Sequence, residues 1–342
     1  MDSILVTGGA GFIGANFINY FIKKYRHYFI INLDKLTAVS NLDNLEISGC
    51  ESRYEFIHGD ICDSKLVKNI FAENNIKGVI HFAAESHVDR SIVSPEEFVN
   101  TNVLGTFVLL DAARKMWLHK PFDPKPEYTA CRFHHVSTDE VFGTLGEQGY
   151  FTEESRYAPT SPYSASKGGS DMIARSYFHT YGLNVSISNC SNNYGKYQYR
   201  EKLIPTIIHT ALSGQDIPIY GNGMNIRDWL HVEDHCSAID LIYHQAQPGE
   251  SYVVGGGTEK TNMEVVKLVC DILDVLRPKA DYTSYNNQVK FVQDRAGHDF
   301  RYALDSSKIN RELRWNPTKD FYTGLYETIQ HYIKDPEYLC SY

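Results

Sequence analysis

The amino-acid sequence predicts an α/β fold in which a doubly wound parallel sheet is followed by a smaller α/β domain. In the first 190 residues, short β-branched runs alternate with segments of helical periodicity, as expected for a parallel sheet covered by helices on both faces. A glycine-rich turn joins the first strand to the first helix. Beyond residue 190 the alternation ends, and glycine clusters separate shorter elements. At roughly 100 to 200 residues per domain, a chain of 342 residues should contain about two domains.

The elements of the first half follow from apolar periodicity. Strands are predicted at residues 4–7, 28–33, 54–58, 79–82, 132–137 and 185–188. Helices are predicted at residues 12–25, 64–73, 96–115 and 161–181, and a surface turn at 121–127. In the second half, helices are predicted at residues 264–276 and 322–333. The expected domains are 1–189, which would bind a dinucleotide, and 190–342, with residues 226–245 packing back on the first domain.

The composition argues against several classes of protein. The chain has 33 Lys and Arg residues against 42 Asp and Glu residues, a net charge of -9, so no nucleic-acid partner is expected. The seven cysteines are scattered and form no C-x-x-C pair, and the histidines show no zinc spacing, so we expect neither a disulfide framework nor a metal site. No secretory signal or long apolar span is recognisable, which predicts a cytoplasmic protein without a membrane association.

The glycine-rich turn has the spacing of a dinucleotide-binding loop. Gly8, Gly11 and Gly14 lie between the first strand and the first helix, where they permit a tight turn and a close approach to a pyrophosphate. Asp34 follows 20 residues after Gly14, at the end of the second strand, where its carboxylate can bind a ribose diol and would repel a 2′-phosphate. The sequence therefore predicts a Rossmann-type site for NAD rather than NADP. Asp60 and Ile61 follow the third strand and could meet the adenine, although Asp60 could equally cap the next helix.

A tyrosine and a lysine one helical turn apart form a candidate proton-transfer pair. Tyr163 and Lys167 follow a helix-start signal and the fifth strand, and a nearby cation favours the phenolate of a tyrosine. Tyr20 and Lys24 have the same spacing, but their apolar surroundings indicate a structural role. We therefore expect Tyr163 and Lys167 to lie beside the nicotinamide of the dinucleotide.

A polar string follows the strand at residues 132–137, at the edge of the sheet where ligands bind. It consists of Ser137, Thr138, Asp139 and Glu140. Adjacent carboxyl groups can differ in pKa, so that one serves as an acid and the other as a base. The same string could instead cap a helix.

These motifs together resemble the extended short-chain dehydrogenase/reductases and, within them, the 4,6-dehydratases of dTDP-glucose. The resemblance rests on TGGAGFIG at residues 7–14, AAESHVDRS at 83–91, STDEV at 137–141 and SPYSASK at 161–167. It continues through residues 34–37, 59–63, 189–195, 201–205, 220–223, 226–230, 232–235 and 294–299, and so covers nearly the whole chain. The Thr138, Asp139 and Glu140 sequence is the discriminating element, because related 4-epimerases lack this acid pair.

The resemblance implies a hydro-lyase that converts dTDP-glucose to dTDP-4-keto-6-deoxyglucose and water, with a tightly bound NAD that is recycled in each turnover. Tyr163, with its pKa lowered by Lys167, would take the proton of the sugar 4-hydroxyl, and Thr138 would bind the 4-oxygen. Glu140 would remove the C5 proton, and Asp139 would protonate the departing C6 hydroxyl.

The resemblance also implies binding residues. NAD would contact Gly8, Gly11, Phe12, Ile13, Gly14, Asp34, Lys35, Thr37, Asp60, Ile61, Ala83, Ser86, Thr101, Tyr163, Lys167 and Asn193. The sugar nucleotide would contact Ser86, Thr138, Asn192, Lys202, Leu203, Pro218, Tyr220, Arg227, Asp294 and His298. Lys202, Arg227 and His298 would supply donors to the diphosphate, although Arg227 could instead pair with the neighbouring Asp228.

The chain departs from the family pattern at positions near the expected nucleotide contacts. These are Ala38, Phe142, Lys196, Arg200 and Val253, of which Val253 replaces an asparagine that contacts the nucleotide. The departures concern the base and the sugar more than the reaction centre. UDP-glucose or another nucleotide-hexose therefore remains an alternative substrate, and a 4-epimerase or a non-catalytic sugar-nucleotide-binding protein an alternative function. The family resemblance further implies a homodimer built through the helices at 96–115 and 161–181.

Overall fold

A computed structural model describes residues 1–334 of the chain. Its strands are β1 (Asp2–Thr7), β2 (Tyr28–Asp34), β3 (Tyr54–His58), β4 (Ile76–His81), β5 (Leu118–Lys120), β6 (Asp123–Pro124), β7 (Arg132–Thr138), β8 (Val185–Cys190), β9 (Asn192–Tyr194), β10 (Ile217–Tyr220), β11 (Ile226–His231), β12 (Ser251–Val254), β13 (Glu259–Thr261) and β14 (Val289–Val292). The α-helices are α1 (Phe12–Lys24), α2 (Ser64–Asn74), α3 (Val88–Val93), α4 (Pro95–Phe98), α5 (Thr106–Trp117), α6 (Pro162–Tyr181), α7 (Leu203–Leu212), α8 (Val232–Gln245), α9 (Asn262–Leu276), α10 (Ser307–Leu313) and α11 (Phe321–Lys334).

The central sheet has seven parallel strands in the order β12-β8-β7-β4-β1-β2-β3. The order reverses between β1 and β4, and ligands bind at such a point, outside the carboxyl ends of the strands. One apolar core on the sheet packs α2, α5 and α6, and another packs α1 and α8. The expected Rossmann-type doubly wound fold is confirmed.

The second half of the chain builds two small sheets and its own core. β10 pairs with β14, and β11 lies between β9 and β13. Buried side chains of α7, α9 and α11 form the core beside them. Two segments of this half belong with the first: β12 is the edge strand of the central sheet, and α8 packs against α1.

The predicted elements of the first half are confirmed to within a few residues, with differences in one region. The helix expected at residues 96–115 consists of α4, a π-helical stretch at Val99–Gly105 and α5, and it is preceded by α3, which was not predicted. The predicted turn at 121–127 contains part of a two-stranded hairpin, β5 and β6, and a short 3-10 turn. In the second half, α7, α8 and α10 were missed. Among residues 1–334, no helix has the length and apolar character needed to cross a membrane.

Candidate active site

The glycine loop is closed so tightly that side chains would not fit. Gly8 has φ +72°, and a Cβ there would lie 2.6 Å from the backbone nitrogen of Ala83, in the loop that follows β4. A Cβ on Gly14 would lie 2.2 Å from the carbonyl oxygen of Gly8. Gly11 is the N-cap of α1 and provides no side-chain acceptor for the first turn. The N–H groups of that turn are therefore available for an anion, which the helix dipole also favours.

Asp34 ends β2 and organises the same loop. One carboxylate oxygen accepts the backbone N–H of Ala10 at 3.0 Å, and the other accepts the N–H of Leu36 at 2.8 Å and the hydroxyl of Ser40 at 3.0 Å. The side chain is buried but borders the cleft above the sheet edge. Each carboxylate oxygen has more than one lone pair, so Asp34 can hold the loop and accept a further hydrogen bond from a ligand.

A single cleft at the carboxyl end of the sheet brings together most of the predicted cofactor residues. They are Gly8, Gly11, Phe12, Ile13, Gly14, Asp34, Lys35, Thr37, Ile61, Ala83, Ser86, Thr101, Tyr163, Lys167 and Asn193. Asp60 lines an adjoining recess together with Lys35, Thr37 and Thr101. Asp60 accepts the N–H of Cys62, whereas Asp63 caps α2, so the alternative role of Asp60 as the cap of that helix is wrong.

Tyr163 and Lys167 lie at the floor of this cleft on α6. Tyr163 is buried, and Lys167 donates from Nζ to the carbonyl oxygen of Val136 at 2.9 Å. The expected lowering of the pKa of Tyr163 by Lys167 does not occur in the protein alone. Burial, and next the negative charge of Glu140, raise the pKa of Tyr163 well above its ordinary value.

The Asp139 and Glu140 carboxyl groups lie beside Tyr163 but in different surroundings. Burial and then the nearby charges of Glu140 and Asp228 raise the pKa of Asp139 well above its ordinary value. Its Oδ2 is buried without a hydrogen-bond partner, which suits a neutral carboxyl group. Burial also raises the pKa of Glu140, but the charges of Lys202, Arg295 and Arg227 oppose this shift. Thr138 accepts the N–H of Glu140 and caps the 3-10 turn Asp139–Phe142, so the string also has the capping role that was its alternative.

Three cations face Glu140 from the second half of the chain. Lys202 precedes α7, and its Nζ donates to the carbonyl oxygen of Ser86 at 3.0 Å. Arg227, on β11, donates to the carbonyl oxygens of Asp299 at 3.0 Å and Ile226 at 2.8 Å. It does not pair with Asp228, because adjacent strand residues point to opposite faces of the sheet, so that alternative is wrong. Arg295 was missed by the sequence reasoning, although its segment, residues 294–299, was recognised.

The predicted substrate residues divide into two groups. Ser86, Thr138, Asn192 and Lys202 line the cleft. The others lie outside its lining, on α7, β10, β11 and the segment after β14: Leu203, Pro218, Tyr220, Arg227, Asp294 and His298. His298 is bound through Nδ1 to Asp294 at 2.7 Å, and burial followed by the charge of Arg295 lowers its pKa. A neutral His298 is a weaker donor to a diphosphate than the sequence suggested.

Comparison with known proteins decides the family. The profile of the GDP-mannose 4,6 dehydratase family matches residues 5–328. The chain is 47% identical to a dTDP-glucose 4,6-dehydratase of Salmonella typhimurium, covering 98% of this chain and 94% of that protein. It is 49% identical to a dTDP-glucose 4,6-dehydratase of Neisseria meningitidis, covering 97% of this chain and 94% of that protein.

The solved structure of DesIV, a dTDP-glucose 4,6-dehydratase from Streptomyces venezuelae with NAD and TYD bound, matches with a TM-score of 0.88. The two chains are 41% identical, and the match covers 98% of each. The chain belongs to the dTDP-glucose 4,6-dehydratase family. The resemblance drawn from the motifs is thereby confirmed.

Several departures from the pattern of the dTDP-glucose 4,6-dehydratase family lie away from the cleft. Phe142 and Val253 are buried in one apolar cluster behind the site, and neither lines the cleft. Lys196, expected to add positive charge near the nucleotide, instead binds Glu46 at 2.7 Å, and Glu46 also binds Lys23 at 2.6 Å. Hydrogen bonds from Lys196 and Lys23 lower the pKa of Glu46 to about 2. Ala38 is exposed, and Arg200 is partly exposed.

The second Tyr and Lys pair has the structural role that its surroundings predicted. Tyr20 donates from its hydroxyl to Asp240 of α8 at 2.9 Å, and the Nζ of Lys24 lies 2.6 Å from the same carboxylate. The pair therefore joins α1 to α8, on the face of the sheet behind the glycine loop.

Proposed function

We propose that this protein is an NAD-dependent 4,6-dehydratase of nucleotide-hexoses, and that its substrate is dTDP-glucose. The observation that carries the proposal is the Asp139 and Glu140 pair beside Tyr163. The surroundings of Asp139 favour its neutral form, whereas three cations act on Glu140. A dehydration needs an acid and a base at neighbouring carbons, whereas a simple epimerisation needs neither. The names of the relatives point to the same reaction.

The residues of the glycine loop fit NAD. Gly8 and Gly14 leave a cradle that a Cβ would fill, and the first turn of α1 has no side-chain cap. The carboxylate of Asp34 suits a ribose diol and disfavours the additional phosphate of NADP. When bound, NAD would supply a hydride acceptor for C4 of the sugar and a hydride donor for C6. The cofactor residues assigned above, from Gly8 to Asn193, would hold it at the floor of the cleft.

The chain's own residues would move the protons. Tyr163 would take the proton of the 4-hydroxyl at its phenolic oxygen once the charges of Lys167 and of the bound nicotinamide favour its phenolate, while Thr138 would donate to the 4-oxygen. Glu140 then removes the proton from C5, which the 4-keto group has made acidic. Asp139 gives its proton to the C6 hydroxyl, which leaves as water. Glu140 exchanges its proton with solvent before it returns one to C5. The proton that Tyr163 took from the 4-hydroxyl balances the one that Asp139 gave up, so exchange with solvent restores both residues.

The diphosphate would lie against the cations of the second half. Lys202, Arg227 and Arg295 all act on Glu140, and Lys202 lines the cleft. Their charges would bind a diphosphate and also keep Glu140 ionised as a base. Tyr220 is partly exposed on β10 and offers an aromatic face to a pyrimidine base.

The experiment that tests the proposal is incubation of the purified protein with dTDP-glucose and, separately, with UDP-glucose. The proposal predicts a 4-keto-6-deoxy product from dTDP-glucose. Production of dTDP-galactose would indicate a 4-epimerase. Turnover of UDP-glucose in preference to dTDP-glucose would overturn the choice of nucleotide, and no turnover of either sugar would favour a binding protein.

The protein would act as a cytoplasmic homodimer, with a dinucleotide-binding domain at residues 1–189 and a substrate domain after it. Support for the dimer comes from exposed apolar side chains on the adjacent helical segments predicted to form the interface. They are Val99, Leu104, Phe107 and Met172. Adjacent exposed apolar residues often mark an interaction site. Sedimentation of the wild type and of Phe107→Glu tests this: a dimer that becomes a monomer supports it, and a monomeric wild type contradicts it.

A further inference from the structure

The amino group of Lys167 is buried, and this raises the question of what compensates its charge. Lys167 is 4% exposed, and its Nζ donates to the carbonyl oxygen of Val136, which is a neutral partner. A buried ammonium group loses its proton unless an opposite charge stabilises it. Asp171 follows on the same face of α6, one helical turn after Lys167.

The groups that face Lys167 from the other packed elements are uncharged at neutral pH. Burial lowers the pKa of His81 on β4 and of His135 on β7, and the charge of Lys167 lowers both further. Burial raises the pKa of the Cys190 thiol on β8. Asp171 differs from these three. Although burial opposes its ionisation, hydrogen bonds from His135 and Ser137 and the charge of Lys167 keep the pKa of Asp171 below its ordinary value.

The carboxylate of Asp171 is fully buried and is the centre of a hydrogen-bond network. One oxygen accepts from Nε2 of His135 at 3.0 Å. The other accepts from Ser137 at 2.9 Å, Tyr157 at 2.8 Å and Asn189 at 3.1 Å. Because a carboxylate only accepts, the proton of neutral His135 is on Nε2. These four donors fix Asp171 in one position, and its burial separates the carboxylate from solvent.

The same network reaches the end of β7 that borders the cleft. Ser137 precedes Thr138, and the side-chain nitrogen of Asn189 donates both to Asp171 and to the carbonyl oxygen of Thr138 at 3.2 Å. Asp171 therefore connects α6, which carries Tyr163 and Lys167, with β7 and β8.

We propose that Asp171 is a positioning residue for the Tyr163 and Lys167 pair: its buried carboxylate keeps Lys167 charged and fixes the end of β7 that carries Thr138. The inference rests on the proposed function, in which Lys167 is the charged partner of Tyr163. Asp171 itself touches neither the substrate nor the cofactor.

The test is the substitution Asp171→Asn, which keeps the shape of the side chain and removes its charge. Without the negative charge, Lys167 loses its proton at a lower pH, so the alkaline limb of the pH profile of kcat moves down by about one pH unit or more. Tyr157→Phe is the matched control, since it removes one hydrogen bond to Asp171 but leaves the charge. In that variant the alkaline limb stays within a few tenths of a unit of the wild type.

A measurement independent of catalysis accompanies the pH profile. In protein labelled with [13C]lysine, the Cε resonance of Lys167 is assigned by its loss in Lys167→Met and followed through a pH titration. Its midpoint should fall in Asp171→Asn and not in Tyr157→Phe. An unchanged midpoint, with activity lost by the same factor at every pH, would overturn the inference and leave Asp171 a structural residue.

The titration also separates this inference from the proposed function. If the wild type dehydrates no sugar nucleotide, the proposed function fails, but the Cε titration still reports whether Asp171 supports the charge of Lys167. If Asp171→Asn does not fold, the wild type alone remains decisive. Lys167 must keep its proton up to about pH 8, and a midpoint below about 8 would contradict the inference.

Discussion

At the residue scale, the chemistry depends on how the carboxyl groups of two consecutive residues, Asp139 and Glu140, come to have different surroundings. Asp139 begins a 3-10 turn and points into the protein, where its Oδ2 has no partner. Glu140 is partly exposed and faces Lys202, Arg227 and Arg295. Neighbouring residues thus have the different surroundings that an acid and a base require, burial without a partner at Asp139 and facing cations at Glu140.

Replacement of the base should separate the two halves of the reaction. In Glu140→Gln, Tyr163 and Lys167 are unchanged, so oxidation at C4 still proceeds, but the C5 proton has no acceptor. We expect kcat for the dehydration to fall about 10²- to 10⁴-fold. Reduced cofactor should accumulate, which the absorbance of NADH on mixing with dTDP-glucose measures. Full activity in this variant would remove Glu140 from its proposed role.

Replacement of the acid should have opposite effects on activity and stability. Since the folded-state pKa of Asp139 is raised, the wild type loses stability as the pH rises from about 4 through that folded-state value. Asn carries no ionisable proton, so Asp139→Asn avoids this loss, about 1.4 kcal/mol for each unit of the shift. We expect a higher melting temperature than the wild type at pH 7, little difference at pH 4, and much lower dehydratase activity. A melting temperature that falls at pH 7 would contradict a neutral Asp139.

At the element scale, α8 is held on α1 by a buried ionic cluster. Asp240 is fully buried and accepts hydrogen bonds from Tyr20, Tyr25 and Lys24. Burial opposes its ionisation, but His244, Lys24 and Tyr20 keep the pKa of Asp240 below its ordinary value. Its contribution to stability is therefore present above about pH 4 and is lost as the pH falls through the folded-state pKa.

Asp240→Asn should destabilise the fold without affecting the chemistry. It leaves Lys24 and two tyrosines without their common acceptor. Because Lys24 is 44% exposed, the cost should be below the about 3 to 5 kcal/mol of breaking a fully buried pair. Asp216→Asn is the control, because Asp216 forms an exposed pair with Lys290 whose loss should leave the stability nearly unchanged. Urea unfolding at pH 7 measures both. Equal midpoints for the two variants would show that the cluster does not hold α8 in place.

The elements that the sequence left unpredicted have a common physical reason. β12 is an edge strand of the central sheet, yet it comes after residue 190, where the alternation of strands and helices ends. Its partner β8 is distant in sequence, and local periodicity contains no information about such pairing. For α8, packing of residues 226–245 on the first domain was predicted, but a helix there was not. The π-helical Val99–Gly105 segment was missed for a related reason, because its apolar spacing resembles that of an ordinary helix.

Some residues of the candidate site could be predicted from the sequence and others could not. Again, what could be predicted lies in local motifs, and what was missed depends on contacts between distant segments. Gly8, Asp34, Tyr163 and Lys167 lie in local motifs with fixed spacing, and they line one cleft as expected. Arg295 and Asp171 carry no such spacing. Their positions become evident only when the chain has folded and burial and charge can be compared.

At the scale of the whole molecule, an ion pair, a contact between a histidine and a carboxylate, and a hydrogen bond join the two sides of the cleft. Glu201 binds Arg90 of α3 at 2.9 Å and His87 at 3.4 Å, and the adjacent Lys202 donates to Ser86. These contacts fix Lys202, which we assign to the diphosphate, against the wall that borders NAD. They therefore join the two halves of the chain at the cation that we assign to the substrate.

Glu201→Gln should loosen this connection. Exposed ion pairs contribute about 0.2 to 1 kcal/mol, so we expect KM for the sugar nucleotide to rise about 1.5- to 5-fold with little change in kcat. Glu312→Gln is the control, because Glu312 pairs with Arg311 on the surface of α10. Steady-state kinetics of both variants checks this. A large fall in kcat with unchanged KM would place Glu201 in the reaction itself.

The most direct test of the account follows hydrogen through one turnover. dTDP-glucose carrying deuterium at C4 is converted in H2O, and the product is examined by NMR and mass spectrometry. A 4,6-dehydratase with Glu140 as base and Tyr163 beside the cofactor delivers the C4 deuterium to C6, and with unlabelled dTDP-glucose in D2O it places one deuterium at C5. Deuterium retained at C4 of dTDP-galactose, or released to solvent without a 6-deoxy product, would contradict the assigned reaction.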